Sequence, residues 1–404
     1  MQETAFDLYE ETVTDALKEC STKLRKKFKT AFIQTMILFM VIPRKINFTQ
    51  MGRYSDSCEQ RFRALFGKGF DWVEFNTSLM KRAYGEGGRK AIAIDASYIS
   101  KAGKKTPYIG KFWSGCASAI KRGLEIPGIG IVDVEARDCI MLRAEQTPDK
   151  ASLEKISEGY GFVEWYLDVL RKCKDNLSKI TRYVVADTWL SKATFVNPLV
   201  EMNFHLISRL RDDAALWYSH DGVRTGKRGR PRVKGERIDF SNLDYSRCET
   251  LDIEAGEAYV IKAYSKAMKR NIKIVVHYPD SGDHKIYFST DLSMSGKDII
   301  EYYRTRFQIG FCFQDFKQFA GLYHCQARDL AKLDFAFNAS LASVNIGKIM
   351  RKEFYPSLSI GLLKSYLSNI YMFNRFLAKS GLRPNKTLNA KLVKELFGLV
   401  TNAA

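Results

Sequence analysis

From the start of the chain to about position 85, apolar residues recur every three to four positions, the spacing of amphipathic helices. The longest apolar run, AFIQTMILFMVI from Ala31 to Ile42, reads as a buried helix. It is too short to cross a bilayer, which takes about 20 residues. In INFTQMGRYSDSCEQRFRALFGK, Asn47 caps a short helix to Tyr54. A Ser-Asp-Ser turn follows, then a second helix from about Cys58 to Phe66. That spacing suits a helix-turn-helix with Arg61 and Arg63 projecting from its second helix. Two packed amphipathic helices around a polar turn fit it as well.

From Lys90 the pattern changes to short apolar runs. KAIAIDASYI is a strand with Asp95 near its end, and residues Gly123 to Thr147 supply two more. A helix is expected from about Lys150 to Cys173, with Phe162, Trp165, Leu167 and Leu170 at helical spacing. ITRYVVADTWL is a buried strand carrying Asp187 at its C-terminal end. Another helix and the strand FHLISRL follow. This order predicts an α/β layer built on a mixed sheet. Residues 213 to about 290 alternate apolar and polar in EAYVIKAYSKAM, NIKIVVHYP and HKIYFST, which predicts an antiparallel β insertion. Beyond it, SGKDIIEYY starts a helix with Ser295 as its cap. Helices continue through LDFAFNASLASVNIGKIM to LNAKLVKELFGLV. The chain shows no internal repeat and no low-complexity linker.

The 404 residues are 46% hydrophobic and 13% aromatic, a globular composition with room for two or three domains. The formal net charge of +19 changes the picture most. A field of that sign attracts polyanions, and nucleic acid is the commonest; a basic protein with a solvated face is the plainer alternative. The N-terminus MQETAFDLYEE is acidic and not a cationic signal sequence, so a cytoplasmic protein without a membrane partner is expected. The eight cysteines form no C-x-x-C pair and the five histidines show no ligand spacing, which argues against zinc and for reduced thiols. No Walker loop and no G-x-G-x-x-G fingerprint occurs.

Asp95 and Asp187 each lie at the end of an apolar strand. Either one alone is ordinarily a solvated loop acid. Together, on adjacent strand ends, they can share divalent cations, and two-metal sites of this kind activate a nucleophile and stabilise the leaving oxygen in phosphodiester chemistry. Mg²⁺ or Mn²⁺ suits such oxygen ligands. The stretch YYRTRFQIGFCFQDFKQFAGL adds a second wall. On one helix, Tyr303, Arg306, position 310 and Lys317 fall within an arc of about 60°. That is a phosphate-gripping stripe with Gly310 where an acid is expected. Asp315 lies about 140° and Glu301 about 180° around the helix from it. Gln314 is near the stripe but is neutral. Glycine in a helix interior costs roughly 1 kcal/mol relative to alanine, so helix stability does not explain it.

These residues resemble DDE transposases of bacterial insertion sequences, in the branch with a β-rich insertion between the second and third acids. The first acid motif is similar to AIDASYISKAGKKT, the second to VVADTWLSKATF. The third lies in the signature Y-x-x-R-x-x-x-E-x-x-x-x-x-x-K, matched by Tyr303, Arg306 and Lys317 with Gly310 in the glutamate's place. The likeness runs from about Asn47 to Asn345. It implies an RNase H-like core with catalytic positions Asp95, Asp187 and 310, a two-metal Mg²⁺ or Mn²⁺ site held by Asp95 and Asp187, and impaired chemistry in this copy. It also implies cleavage and strand transfer at transposon terminal inverted repeats, with double-stranded DNA as partner and a homodimer on DNA at the nucleoid. Asp315 is an accessory position in such sequences, not a relocated acid.

The expected organisation is a helical DNA-binding domain over 1–85 and a core in two parts, 86–212 and 293–350. The β-rich insertion takes 213–292 and a C-terminal helical region 351–404. In the insertion, TGKRGRPRVKG carries Arg228, Arg230 and Arg232, slim and extended enough for a narrow minor groove, or a basic loop touching phosphates. Trp217 is the insertion's one tryptophan and the candidate platform for an extruded base, with core packing as the alternative. Lys111, Lys121 and Arg122 either line the DNA channel or are solvated surface. A catalytically inactive DNA-binding protein derived from a transposase and a structure-selective nuclease on the same core are the rival functions.

Overall fold

The computed structural model describes residues 5–220 and 234–380. Five helices come first: α1 (Ala5–Glu19), α2 (Lys26–Val41), α3 (Phe48–Arg53), α4 (Glu59–Phe66) and α5 (Trp72–Tyr84). The expected cap at Asn47 is present, its side chain accepting from the Gln50 amide at 2.9 Å. Strands β1 (Lys90–Ser100), β2 (Gly110–Ser114), β3 (Ala119–Asp133) and β4 (Asp138–Ala144) follow. Next come α6 (Lys150–Glu154), α7 (Phe162–Lys172), α8 (Lys174–Leu177), β5 (Tyr183–Val185), α9 (Ala193–Glu201) and β6 (His205–Leu210). The single helix expected over 150–173 is instead broken between α6 and α7. Gly159 there takes a φ of +74°, which ends a helix, and Gly161 restarts one as the cap of α7.

The β insertion holds β7 (Leu216–Ser219), β8 (Lys234–Arg237), β9 (Glu249–Leu251), β10 (Glu257–Ser265), β11 (Arg270–Tyr278) and β12 (Lys285–Ser289). The chain then returns through α10 (Gly296–Thr305), α11 (Phe307–Phe319), α12 (Leu330–Glu353) and α13 (Ile360–Ser380). Ser295 caps α10 by accepting from the Asp298 amide. LNAKLVKELFGLV lies outside the described residues.

The twelve strands of the described residues join one mixed sheet, ordered β2-β3-β1-β5-β6-β12-β11-β10-β7-β8, with β4 on β3 and β9 on β10. The ladders β1/β5 and β5/β6 are parallel and the rest antiparallel. The insertion therefore continues the core sheet, through β12 against β6. Successive residues of β1 face opposite layers. Ile92 and Ile94 join the core under α1, α2, α5, α7 and α9, while Ala91 and Ala93 join the core under α10 and α11. The N-terminal helices share the first of these cores with the sheet. A large mixed sheet flanked by helices is the α/β architecture expected, in keeping with an RNase H-like fold.

One feature of α12 fixes the sheet edge beside the site. Asn345 accepts from the Met141 amide at 3.2 Å and donates to the Met141 carbonyl at 2.7 Å. Asn338 makes the same pair with Ala144, at 2.9 Å each way. Asn76 of α5 donates to the Leu142 carbonyl at 3.0 Å and accepts from Asn345 at 2.9 Å. Three buried amides thus satisfy the outer backbone groups of β4 at Met141, Leu142 and Ala144, which would otherwise lie unpaired in an apolar layer. Among the described residues, no helix is long and apolar enough to cross a membrane.

Candidate acid site on β1 and β5

The β1/β5 ladder pairs Ile92 with Val184 and Ala93 with Val185. The same offset carries Asp95 opposite Asp187. The chain stays extended there, since Asp187 has φ −68° and ψ 157°. Asp187 lies two residues past the end of β5, so the two acids flank the end of the parallel ladder. Asp95 is not at a strand end, because β1 continues to Ser100 against β3. It lies at the end of the parallel ladder, where β5 turns away.

Each carboxylate uses little of its accepting capacity inside the protein. Asp95 accepts from the Ala96 amide at 2.9 Å and Asp187 from the Trp189 amide at 3.0 Å. Burial pushes the Asp95 carboxyl above its usual range, and the Asp187 charge pushes it further. The Ala96 amide and the Arg306 guanidinium oppose both. Two acids that repel each other, with free lone pairs and all-oxygen chemistry, fit a divalent cation. Among the described residues, no cluster of three or more His, Cys, Asp or Glu side chains is placed to hold a metal.

The helical wall differs from the sequence expectation. The helix breaks at Arg306, so Tyr303 lies on α10, Arg306 at the junction, and Gly310 and Lys317 on α11. Arg306 keeps helical dihedrals, φ −50° and ψ −36°, and the two helices nearly run on. Its guanidinium lies 4.3 Å from the Phe307 ring and 5.8 Å from Tyr303, and its buried Nε has no partner among the described residues. Tyr303 is buried and packs on Tyr287, with ring centres 5.2 Å apart, so it supports Arg306 from beneath. Lys317 is half-buried, which lowers its pKa, and lies within electrostatic range of Cys116.

Gly310 is exposed, and a Cβ built on it meets no atom within 4 Å. Neither helical acid replaces the missing one. Glu301 is committed to Arg89 at 2.7 Å. Burial raises the Asp315 carboxyl, which faces Lys348 and Arg351.

The remaining candidates are more scattered. Arg61 and Arg63 are exposed on α4. Arg61 donates to Ser57, and Arg63 sits over Phe48 at 4.8 Å, beside a cavity of about 570 Å³ shared with Arg328 and Lys332. Trp217 is half-buried on β7 with Lys234 over its ring at 4.6 Å. It lines an open groove of about 650 Å³ that begins at Thr188 and Lys192, just past Asp187. Arg228, Arg230 and Arg232 lie outside the described residues.

Several exposed aromatics near the acids escaped sequence reasoning. Trp189 is 43% exposed two residues past Asp187, with Lys192 at 4.5 Å from its ring. Phe307 and Phe311 flank Gly310 on the open face of α11, 53% and 58% exposed. Apolar residues at helical spacing look like core in a sequence, and only the packing shows that these two face outward.

A family model described as DDE superfamily endonuclease matches residues 40–268, more than half of the chain. The match includes Asp95 and Asp187 and ends before Tyr303, so the helical wall lies beyond it. No curated protein matches the chain. Such endonucleases imply DNA as substrate and normally use divalent metals. The chain belongs to the DDE superfamily of endonucleases.

Proposed function

We propose that this chain is the transposase of a bacterial insertion sequence, which binds terminal inverted repeats as a dimer, cuts at their 3′ ends and joins them to target DNA. The observation that carries this reading is the pair of repelling acids at the end of the parallel β1/β5 ladder, with Arg306, whose buried Nε has no partner among the described residues, in electrostatic reach of Asp95. Asp95 and Asp187 would hold Mg²⁺ or Mn²⁺, and the ions would activate the attacking oxygen and stabilise the leaving one. Arg306 offers its guanidinium to a phosphate beside the cut, with Tyr303 and Phe307 setting its plane. Lys317 supplies a second cation further along α11. Trp217 is the candidate stacking platform in the groove past Asp187. Arg61 and Arg63 on α4 and the basic stretch with Arg228, Arg230 and Arg232 are assigned to DNA contacts. A nucleoid location follows from the DNA partner.

Gly310 favours a second reading, a DNA-binding protein derived from a transposase that no longer cuts. The site has two acids and open space where a third would stand. Mn²⁺-dependent reaction of a plasmid carrying the flanking repeats separates the readings. Joined ends support the transposase, and hydrolysis without joining supports a simple nuclease. Repeat binding with no cleavage at high Mn²⁺ supports the inactive form.

A further inference from the structure

Between Lys101 and Gly123 the chain carries Lys101, Lys104, Lys105, Lys111, Lys121 and Arg122 and not one acid. The end of this stretch is the β2/β3 hairpin, closed by a turn through Gly115–Ser118 in which Ser118 is left-handed at φ +45°. Pairing of β1 with β3 stops at Ser100 and Gly123, while β2 continues along β3 to Ala119. The hairpin thus runs on beyond β1 by about 13 Å. It leaves the sheet in the direction β1 takes past Asp95, and its tip comes within electrostatic range of Lys317 through Cys116.

The two faces of the hairpin differ. Phe112 is buried and packs on Phe162, with ring centres 5.9 Å apart. The other face presents two cross-strand pairs, Lys111 with Arg122 and Trp113 with Ile120. Trp113 is 59% and Ile120 68% exposed, and among the described residues none of Lys111, Lys121 and Arg122 has a carboxylate partner. Lysine on an edge strand can be a guard against aggregation. A guard does not explain an exposed tryptophan opposite an exposed isoleucine, which invites the association that lysine deters.

We propose that this hairpin is an arm that grips duplex DNA next to the acid site. Lys111 and Arg122 lie on phosphates, and Trp113 and Ile120 press into the groove against base edges. A two-stranded ribbon is narrow enough for the major groove, and apolar wedges flanked by cations are a recurring way to hold or bend a duplex. Charge selects this occupant over a second copy of the chain. Two copies would bring four unpaired cations together at their shared face, whereas DNA neutralises them. The proposal rests on the DNA-acting function above and adds the element that engages the duplex.

The test compares wild type with Lys111→Glu/Arg122→Glu and with Trp113→Ala/Ile120→Ala. Binding to a fluorescein-labelled linear duplex of mixed sequence is measured across a salt series, with thermal unfolding to verify the fold and sedimentation velocity to read the oligomeric state. The charge variant should bind at least about tenfold more weakly near 0.1 M salt, with the log–log salt slope reduced by about two. The apolar variant should also lose about tenfold, with the slope unchanged. Wild-type binding by both variants overturns the arm and leaves the DNA function standing. A changed oligomeric state with unchanged DNA binding also overturns it and assigns the face to contact between copies. No duplex binding by the wild type overturns both the arm and the function on which it rests.

Discussion

Asp95 sits inside an eleven-residue strand paired on both sides, whereas Gly310 stands on the open face of α11 with nothing within 4 Å of a built Cβ. The strand wall of the site is held by the core. Its neighbours Ile94 and Ala93 are fully buried, β3 lies against it, and α12 ties down β4 beyond. The helix wall is held only on its inner side, by Ile309, Cys312, Phe313 and Phe316. A Cβ at 310 would meet no other atom within 4 Å. Tertiary packing therefore constrains position 95 and leaves position 310 open, where a bound cation and DNA would feel a carboxylate most. A site of this kind can lose its third acid and keep its fold.

The largest effect that sharpens this contrast comes from Gly310→Glu. Gly310 is exposed and a Cβ there meets no atom within 4 Å, so the substitution starts into open space. On the proposed reading a third carboxylate would complete the ligand set of a bound cation, and metal catalysis supplies several kcal/mol of transition-state stabilisation. Mn²⁺-dependent nicking of repeat-bearing plasmid should rise about 10²- to 10⁴-fold over the glycine form. Equal rates for the two forms would show that the site does not lack an acid at 310.

Breaking the strand wall is the next largest. Asn345→Ala strips the Met141 amide and carbonyl and the Asn76 amide oxygen of their partners in a buried layer. Each buried polar group left alone costs about 1–3 kcal/mol, so the variant should lose about 3 kcal/mol or more in denaturant unfolding. An exposed position on α11 such as Gln314→Ala should change stability by less than about 0.5 kcal/mol. A small loss at Asn345 would mean that β4 does not depend on its amide partners.

These asparagines also mark how far the sequence could be read. Asp95 and Asp187 were legible because an acid stands out in an apolar run, and the apolar runs KAIAIDASYI and ITRYVVADTWL identify strands locally. β2 escaped notice even though Lys111–Ser114 alternates exposed and buried, because four residues of pattern are too few to distinguish from a loop. The breaks between α6 and α7 had a local signal in Gly159 and Gly161. The junction at Arg306 had none, since its dihedrals stay helical. The role of Asn338 and Asn345 was hidden because a polar residue in a helix normally faces water, and only the position of β4 reverses that. The merging of the insertion with the core sheet depends on the register of β12 against β6, which no local pattern encodes.

Titration probes the strand wall from within. Burial and the Asp187 charge raise the Asp95 pKa in the folded protein, so the folded state binds its proton more tightly than the unfolded chain does. Ionised Asp95 therefore destabilises the metal-free protein above its raised pKa. That penalty is relieved as pH falls through the folded value toward the ordinary aspartate range. Asp95→Asn should melt higher than wild type at neutral pH without metal, with the gap closing on acidification. Mn²⁺ should stabilise wild type and leave the variant unmoved. A variant that melts lower at neutral pH would mean that the ionised carboxylate already has a stabilising partner in the metal-free protein.

The smallest effect separates the two demands on position 310. Gly310→Ala fills no space that another atom occupies and restores no ligand. It removes only the backbone freedom that glycine has in the unfolded chain, and alanine at an exposed helical position is worth about 0.5–1 kcal/mol. In a protein of this size that is a rise of about 1–3 °C in melting temperature. Nicking should stay at the glycine level. Gly310→Glu shares part of the helix gain, because glutamate is also a good helix former, so activity present in the glutamate form and absent in the alanine form isolates the carboxylate from the helix it stands on. If alanine alone raised nicking, the defect would lie in the stiffness of α11, and the contrast between a constrained strand and an indifferent helix would have to be redrawn around helix rigidity.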